Sequence, residues 1–297
     1  MSDPEPVRRL VQEALGQAVS NLEQAVWGFQ NRTDIVTLAS GERIVLQRYR
    51  RREDAERRLA ALHAVAGPAA ATGITIPAVI AFDFDHDPPW AIFKVLPGAP
   101  ATDSGDFAPG GRQFVATTRL MGELLARFRT LQVTDLAIDT LWSDPGRLAL
   151  QAMEWVKAVT GLDESERAAL AAVIAELPAL FYGREPVLAH GDYVPMNVLI
   201  ADGRITGLLD LESVRLADSL FDVAWWAWAV SFSGREVLDT SLPVFLAAAG
   251  IDPDPLLARR LRSLQILRML ELLVEQPDLK GAGIIAGHLA TTLHEQD

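Results

Sequence analysis

The feature that most constrains this chain is a change of hydrophobic period at Pro97-Gly98. Before it, apolar residues come in short β-branched runs, and after it they recur at helical spacing. Residues 34–38 and 43–49 are two such runs, joined by Ala39-Ser40-Gly41-Glu42, which is a hairpin signal. Residues 74–76, 79–82 and 90–96 read as further short strands. Leu10, Val11, Leu15, Val19, Leu22 and Val26 are spaced as on a helix and predict one over 10–26, while 50–66 is a highly charged helix with Leu59, Leu62 and Val65 on one face. Past the break, 114–131, 146–159, 164–180, 220–232, 240–249 and 255–274 predict helices. One β island interrupts them, at 187–189, 198–200 and 205–209, with Asp202-Gly203 closing its hairpin. The chain therefore divides into a small antiparallel-sheet lobe, 1–98, and a larger, mainly helical lobe, 99–297, which is an α+β architecture.

At 297 residues and 49% hydrophobic content, such a chain can bury two moderate cores. It has no cysteine, so disulfides, thiolate metal sites and a cysteine nucleophile are excluded, and a reducing compartment, the cytoplasm, is expected. The first residues lack a secretory apolar stretch, and the most apolar run, 223–232, is too short for a bilayer, so no membrane partner is expected. Residues 1–98 carry a net charge of −1 and 99–297 a net of −11. A surface of that sign repels nucleic acid and can concentrate a cationic substrate, although it serves solubility equally well.

The β island carries the polar residues that matter. His190-Gly191-Asp192-Tyr193-Val194-Pro195-Met196-Asn197 runs into the first hairpin strand, and Leu209-Asp210-Leu211-Glu212 leaves the second. The hairpin thus brings two carboxylates and an amide to one edge. Oxygen ligands of this kind suit Mg²⁺, which takes one or two carboxylates together with substrate phosphates, and nothing in the stretch suits zinc.

The stretch HGDYVPMNVLIADGRITGLLDLESVRLADSLFDVA resembles the aminoglycoside phosphotransferase/choline kinase-like family, in which H-G-D-x-x-x-x-N is followed by a hairpin, an apolar pair with D, then A/G-D and a later D. The resemblance implies a bilobal protein-kinase-like fold and transfer of the γ-phosphate of ATP or GTP to a small-molecule hydroxyl, with Mg²⁺. It implies that Asp192 accepts the proton of the attacking hydroxyl or orients it, and that Asn197 and Asp210 hold metal ions. By the same analogy His190 is a structural anchor. Asp218 and Asp222 are structural too, with Asp218 placed to cap the helix that follows. The role of Glu212 stays open.

The likeness extends, more weakly, to the first lobe. Gly28 and Asn31 match a loop over the phosphates, Val45 would roof the purine, and the strand 90–96, through Phe93 and Val95, would meet the base. The charged helix offers Glu56, or Glu53, as the acid that pairs with a phosphate-binding cation. That cation is a departure: Ile44-Val45-Leu46 is followed by Gln47 and only then by Arg48. Strand alternation places Val45, Gln47 and Tyr49 on one face and Leu46 and Arg48 on the other. Either a bulge turns Arg48 inward, which the intact downstream set favours, or Gln47 replaces the cation and activity is low or absent. On the first arrangement, Arg48→Ala raises the nucleotide KM.

For the acceptor, the acidic lobe suits an amine-bearing compound, with Glu271, Glu275 and Asp278 as contacts, or else as a merely solvated face. On a helix Trp225, Trp226 and Trp228 cannot all face one way, so at least one is core and one could wall the substrate site, with core packing the stronger reading. The resemblance implies an antibiotic as acceptor, with a metabolic alcohol such as choline, homoserine or a sugar as the alternative. A nucleotide-binding regulator without transfer activity is the remaining possibility. Oligomeric state is not legible.

Overall fold

The computed structural model describes residues 5–24, 31–102, 112–134, 138–276 and 281–294. It opens with helix α1, Glu5–Leu15, which ends at Gly16 with φ 67°. A residue with positive φ directly after the last turn stops a helix, and glycine adopts it without a Cβ penalty. The expected helix over 10–26 is therefore corrected: the chain turns at Gly16 and continues as strand β1, Val19–Gln24, paired antiparallel with β2, Arg32–Leu38.

Strand β3, Arg43–Arg48, pairs with β2, and the sheet is completed by β4, Val79–Asp83, and β5, Trp90–Lys94, in the order β1-β2-β3-β5-β4. Residues 74–76, expected as a strand, are not in one. Helix α2, Arg52–Ala71, connects β3 to β4. Alternation sorts the sheet into two faces. Val36, Leu38, Ile44, Leu46, Trp90 and Ile92 pack on Val7, Leu10 and Val11 of α1. On the other face Tyr49, Ala91 and Phe93 join Ala55, Leu59, Leu62 and Val65 of α2 in the larger core, which continues through the helical part of the molecule.

A short strand β6, Ala99–Pro100, leads out of the sheet lobe. It is followed by helices α3, Arg112–Phe128, α4, Pro145–Ala158, and α5, Glu164–Leu180. Next come strands β7, Pro186–Ala189, β8, Val198–Ala201, β9, Arg204–Leu208, and β10, Arg215–Asp218. Helices α6, Phe221–Ser231, α7, Arg235–Ala248, α8, Leu257–Glu275, and α9, Ala282–His294, complete the chain. The expected hairpin is β8–β9, and its turn residues Asp202 and Gly203 have φ of 51° and 68°, the left-handed pair that a two-residue hairpin loop requires. Strand β6 adds to β8, so the segment leaving the sheet lobe lies along the hairpin. Gly98 makes this approach possible, because a Cβ there would lie 2.6 Å from the Ile200 carbonyl oxygen. Strands β7 and β10 form a separate antiparallel pair on either side of the hairpin in sequence. Among the described residues no helix is long and apolar enough to cross a membrane.

Candidate active site

Strand β7 delivers the chain into a loop at His190, and helix α6 holds that loop from beneath. The carboxylate of Asp222, in the first turn of α6 and 2% exposed, accepts the backbone N–H of His190 at 2.7 Å and of Gly191 at 3.0 Å. Burial raises the Asp222 pKa, and His190 and the two N–H groups work in the opposite direction. The His190 ring is enclosed and bonded at both nitrogens: Nε2 lies 2.8 Å from the Leu209 carbonyl oxygen, and Nδ1 accepts the Asp192 N–H at 3.2 Å. These bonds put the ring proton on Nε2 and use both nitrogens in tying the loop to the end of β9. Gly191 has φ 86°, and a Cβ on it would fall 1.9 Å from the Ser213 carbonyl oxygen, so two segments cross here at a distance only glycine permits. The Tyr193 hydroxyl donates to the Met121 carbonyl at 2.7 Å and fastens the far side of the loop to α3.

This frame presents Asp192. Its Oδ2 accepts from Asn197 Nδ2 at 2.9 Å, and its Oδ1 accepts from the Trp225 indole N–H at 2.8 Å. Asn197 also donates to the Asp192 carbonyl at 2.9 Å, so its amide nitrogen is committed to Asp192 and its Oδ1 is the atom left to accept. The Leu209 N–H donates to the Asn197 carbonyl at 2.8 Å, which sets Asp210 beside Asn197. Asp210 itself lies two residues past β9 in the left-handed region, φ 59°, which aspartate tolerates better than most residues. Asn197 Oδ1 and the Asp210 oxygen not used by its ion pair are oxygen acceptors, the donor type a hard divalent cation takes when phosphates complete its coordination. Among the described residues no three His, Cys, Asp or Glu side chains gather into a metal-holding group of their own.

The sheet lobe contributes a residue that sequence reasoning missed. Arg58 of α2, 6% exposed, donates Nη2 to Asp210 Oδ1 at 2.6 Å and Nη1 to Glu212 Oε2 at 2.8 Å. Its guanidinium stands 5.8 Å from the centre of the Phe93 ring. Burial works against the Arg58 charge, but Asp210 and Glu212 outweigh it, so its pKa is raised. Burial raises the Glu212 pKa, with Arg58 opposing. A signal was present in the sequence: Arg58 lies three residues after Ala55 and four before Leu62, on the stripe that α2 buries.

The residues proposed for cation and partner acid lie elsewhere. Strands β3 and β5 pair in unbroken register, so no bulge turns Arg48 inward. Arg48 instead sits on the α1 face, bonded to buried Asp34 at 2.6 Å. Gln47 faces the cleft side, donating to Thr33 Oγ1 at 3.4 Å and accepting the Tyr49 hydroxyl at 3.1 Å. Glu56 is exposed on α2 and bonded to Arg52 at 2.6 Å, and Glu53 is exposed as well. Val45 and Phe93 are directly paired across β3 and β5 on the inner face, Val95 follows β5 half-buried, and Asn31 is half-buried at the start of β2. Gly28 lies outside the described residues.

On the acceptor side, Trp225 is on the same face of α6 as Asp222, one turn on, so the helix that pins the loop also supports Asp192. It stacks on Trp228 at 4.1 Å, and the Arg268 guanidinium lies 5.7 Å from its ring. Trp226 is fully enclosed against Phe245. The Glu271 expectation is corrected: its carboxylate is 2% exposed and accepts from Arg215 at 2.8 Å, from Trp142 at 2.9 Å and from Arg268, leaving nothing for a ligand. Glu275, at the end of α8, is exposed as a residue while its carboxyl is partly shielded from water by the surrounding protein, and that shielding, with Glu271, raises its pKa. Asp278 lies outside the described residues. Asp218 accepts the Leu220 N–H at 2.8 Å just ahead of α6 and pairs with Arg184.

Comparison with known proteins bears on family and fold. The model of the phosphotransferase enzyme family matches residues 21–260. An aminoglycoside 3'-phosphotransferase from Streptomyces ribosidificus is 28% identical over 156 residues, covering 51% of this chain and 58% of the relative, so the match spans little more than half of that protein. Among solved structures, macrolide 2'-phosphotransferase MphH from Brachybacterium faecium superposes with a TM-score of 0.69 at 19% identity, covering 99% of each chain. The GDP and kanamycin complex of APH(2")-IIia gives 0.75 at 16% identity over 98% of each. These likenesses establish the bilobal kinase-like fold.

Proposed function

The chain belongs to the phosphotransferase enzyme family, and from that premise we propose that it moves the γ-phosphoryl group of ATP or GTP to a hydroxyl of a small molecule, an antibiotic of the aminoglycoside or macrolide kind. The observation that carries this reading is the placement of Asp192. Its carboxylate is held by Asn197 and Trp225, and the Leu209 N–H, one residue before Asp210, donates to the Asn197 carbonyl. A carboxylate fixed in this way can orient the acceptor hydroxyl and take its proton as the oxygen attacks phosphorus. The transfer asks for little more than positioning and charge neutralisation. Asn197 and Asp210 would hold Mg²⁺, which supplies positive charge to the phosphate oxygens when bound.

The inner face of the sheet, around Val45 and Phe93, would take the base. His190, Gly191 and Asp222 keep the loop in place. Of the acidic residues considered for the acceptor, Glu275 has the exposure to meet a cationic group, and Glu271 serves the interior. The absence of cysteine and the use of nucleoside triphosphate both suit a cytoplasmic reaction.

A coupled nucleoside diphosphate release assay tests the reading, run with ATP and GTP against aminoglycosides, macrolides, choline-like alcohols and sugars. Turnover with an antibiotic that falls on the order of 10²-fold or more in Asp192→Ala is the expected result. Turnover with alcohols or sugars alone would make the protein a metabolic kinase. Nucleotide binding without turnover on any acceptor would make it a regulator.

A further inference from the structure

An incoming triphosphate would meet three carboxylates at this site, Asp192, Asp210 and Glu212, and the inner face of strand β3 carries the neutral Gln47, bonded to Thr33 and Tyr49. We propose that Arg58, from helix α2, supplies the positive charge that the strand lacks, so that the phosphate-side cation of this nucleotide site comes from the helix. The proposal rests on the phosphotransfer reading above and deepens it.

Four observations support it. Arg48, the nearest cation on β3, is turned to the opposite face of the sheet and held by Asp34, and Lys94 on β5 is exposed. Arg58, in contrast, is bonded to both Asp210 and Glu212. Its reach spans the two lobes, from the Phe93 ring to Asp210, two residues past the hairpin strand β9. Each Nη carries a second N–H beyond its carboxylate bond, so the guanidinium keeps donor capacity at its tip, while its Nε is buried. Arg58 also replaces an arrangement the sequence suggested, a strand cation with a helix acid. Here the polarity is reversed: the strand residue is neutral and the helix residue is the cation, while Glu56 points to solvent. Two pairs then fix the guanidinium at the hairpin end, where it can offset carboxylate charge and direct a second Nη N–H toward a phosphate oxygen. Arginine suits this task because its planar fork serves several oxygens at once.

The test is calorimetric titration of wild type, Arg58→Lys, Arg58→Gln and the double variant Gln47→Lys/Arg58→Gln. Ligands are ATP, GTP, adenosine and guanosine in the presence of Mg²⁺, and thermal melting checks folding. Arg58→Gln should bind triphosphate on the order of 10-fold or more weakly with nucleoside affinity unchanged, as loss of a charge-assisted contact predicts. Arg58→Lys should keep most of the affinity, and the double variant should regain it, because a lysine at position 47 returns the charge from the strand. Equal weakening of triphosphate and nucleoside would reduce Arg58 to a structural tie between the lobes and overturn the proposal. Unchanged triphosphate affinity in Arg58→Gln would overturn it as well, as would a folded double variant that binds no better than the single one. Should Arg58→Gln not fold, the double variant is read directly against wild type, with tight triphosphate binding supporting the proposal and its loss refuting it. A wild type that binds no triphosphate would contradict the proposed function itself.

Discussion

Replacing Glu271 by glutamine separates a structural carboxylate from a substrate-gripping one. The side chain is enclosed between Arg215, with bonds of 2.8 and 3.0 Å, and Arg268, with Trp142 donating at 2.9 Å. Removing one partner of a buried ion pair leaves charge uncompensated and costs about 3–5 kcal/mol. Glutamine still accepts one bond, so the lower end, about 3 kcal/mol, is expected. At roughly 2–4 °C per kcal/mol for a chain of this size, the melting temperature should fall by about 6–12 °C.

The pH dependence has a definite sign. Burial tends to raise the Glu271 pKa, but Arg268 and Arg215 win, and the folded value lies below the ordinary 4.5. The ionised group therefore stabilises the fold fully above that value, and the contribution is lost as pH falls through the lower folded pKa. The gap in melting temperature between wild type and variant should be widest near neutral pH and shrink below about 4.5. Circular dichroism melts across this range give the measurement. A variant that melts with wild type but shows a raised acceptor KM would refute the burial argument and return Glu271 to the acceptor site.

Two further substitutions probe the frame. Gly191→Ala places a Cβ 1.9 Å from the Ser213 carbonyl oxygen at φ 86°, so turnover should collapse and stability fall by more than about 1 kcal/mol, read by steady-state rates and thermal melts. Arg48→Ala removes the partner of buried Asp34 on the outer face, so it should destabilise the sheet lobe by roughly 3 kcal/mol while nucleotide KM stays as in wild type, against the expectation that a bulge turns Arg48 inward.

The β8–β9 hairpin and the residues at its ends were legible because the signals are local: Asp202-Gly203 dictates a turn type, and apolar β-branched runs flank it. Most helices were legible for the same reason. What escaped depends on distant partners. Val19 and Leu22 continue a helical spacing, yet β1 forms because β2 offers it a pairing edge, and Gly16 was the overlooked stop signal. Strand β10 depends on pairing with β7, with the whole hairpin between them in sequence. At the site, His190, Asp192, Asn197 and Asp210 are adjacent in one motif, whereas Arg58 lies 152 residues before Asp210. Its charge on the apolar face of α2 was the clue, and helix composition alone hid it. Glu271 misled in the opposite way, since an acidic residue near a helix end looks solvated until Arg215 and Arg268 are seen to enclose it.

The central claim is that Asp192, braced by Asn197 and Trp225, serves transfer of phosphate to an acceptor hydroxyl. Mass spectrometry of the acceptor after incubation with protein, nucleoside triphosphate and Mg²⁺ tests it most directly. Wild type should give a phosphate ester of the acceptor, and Asp192→Ala almost none. Equal ester formation by the two proteins would contradict it.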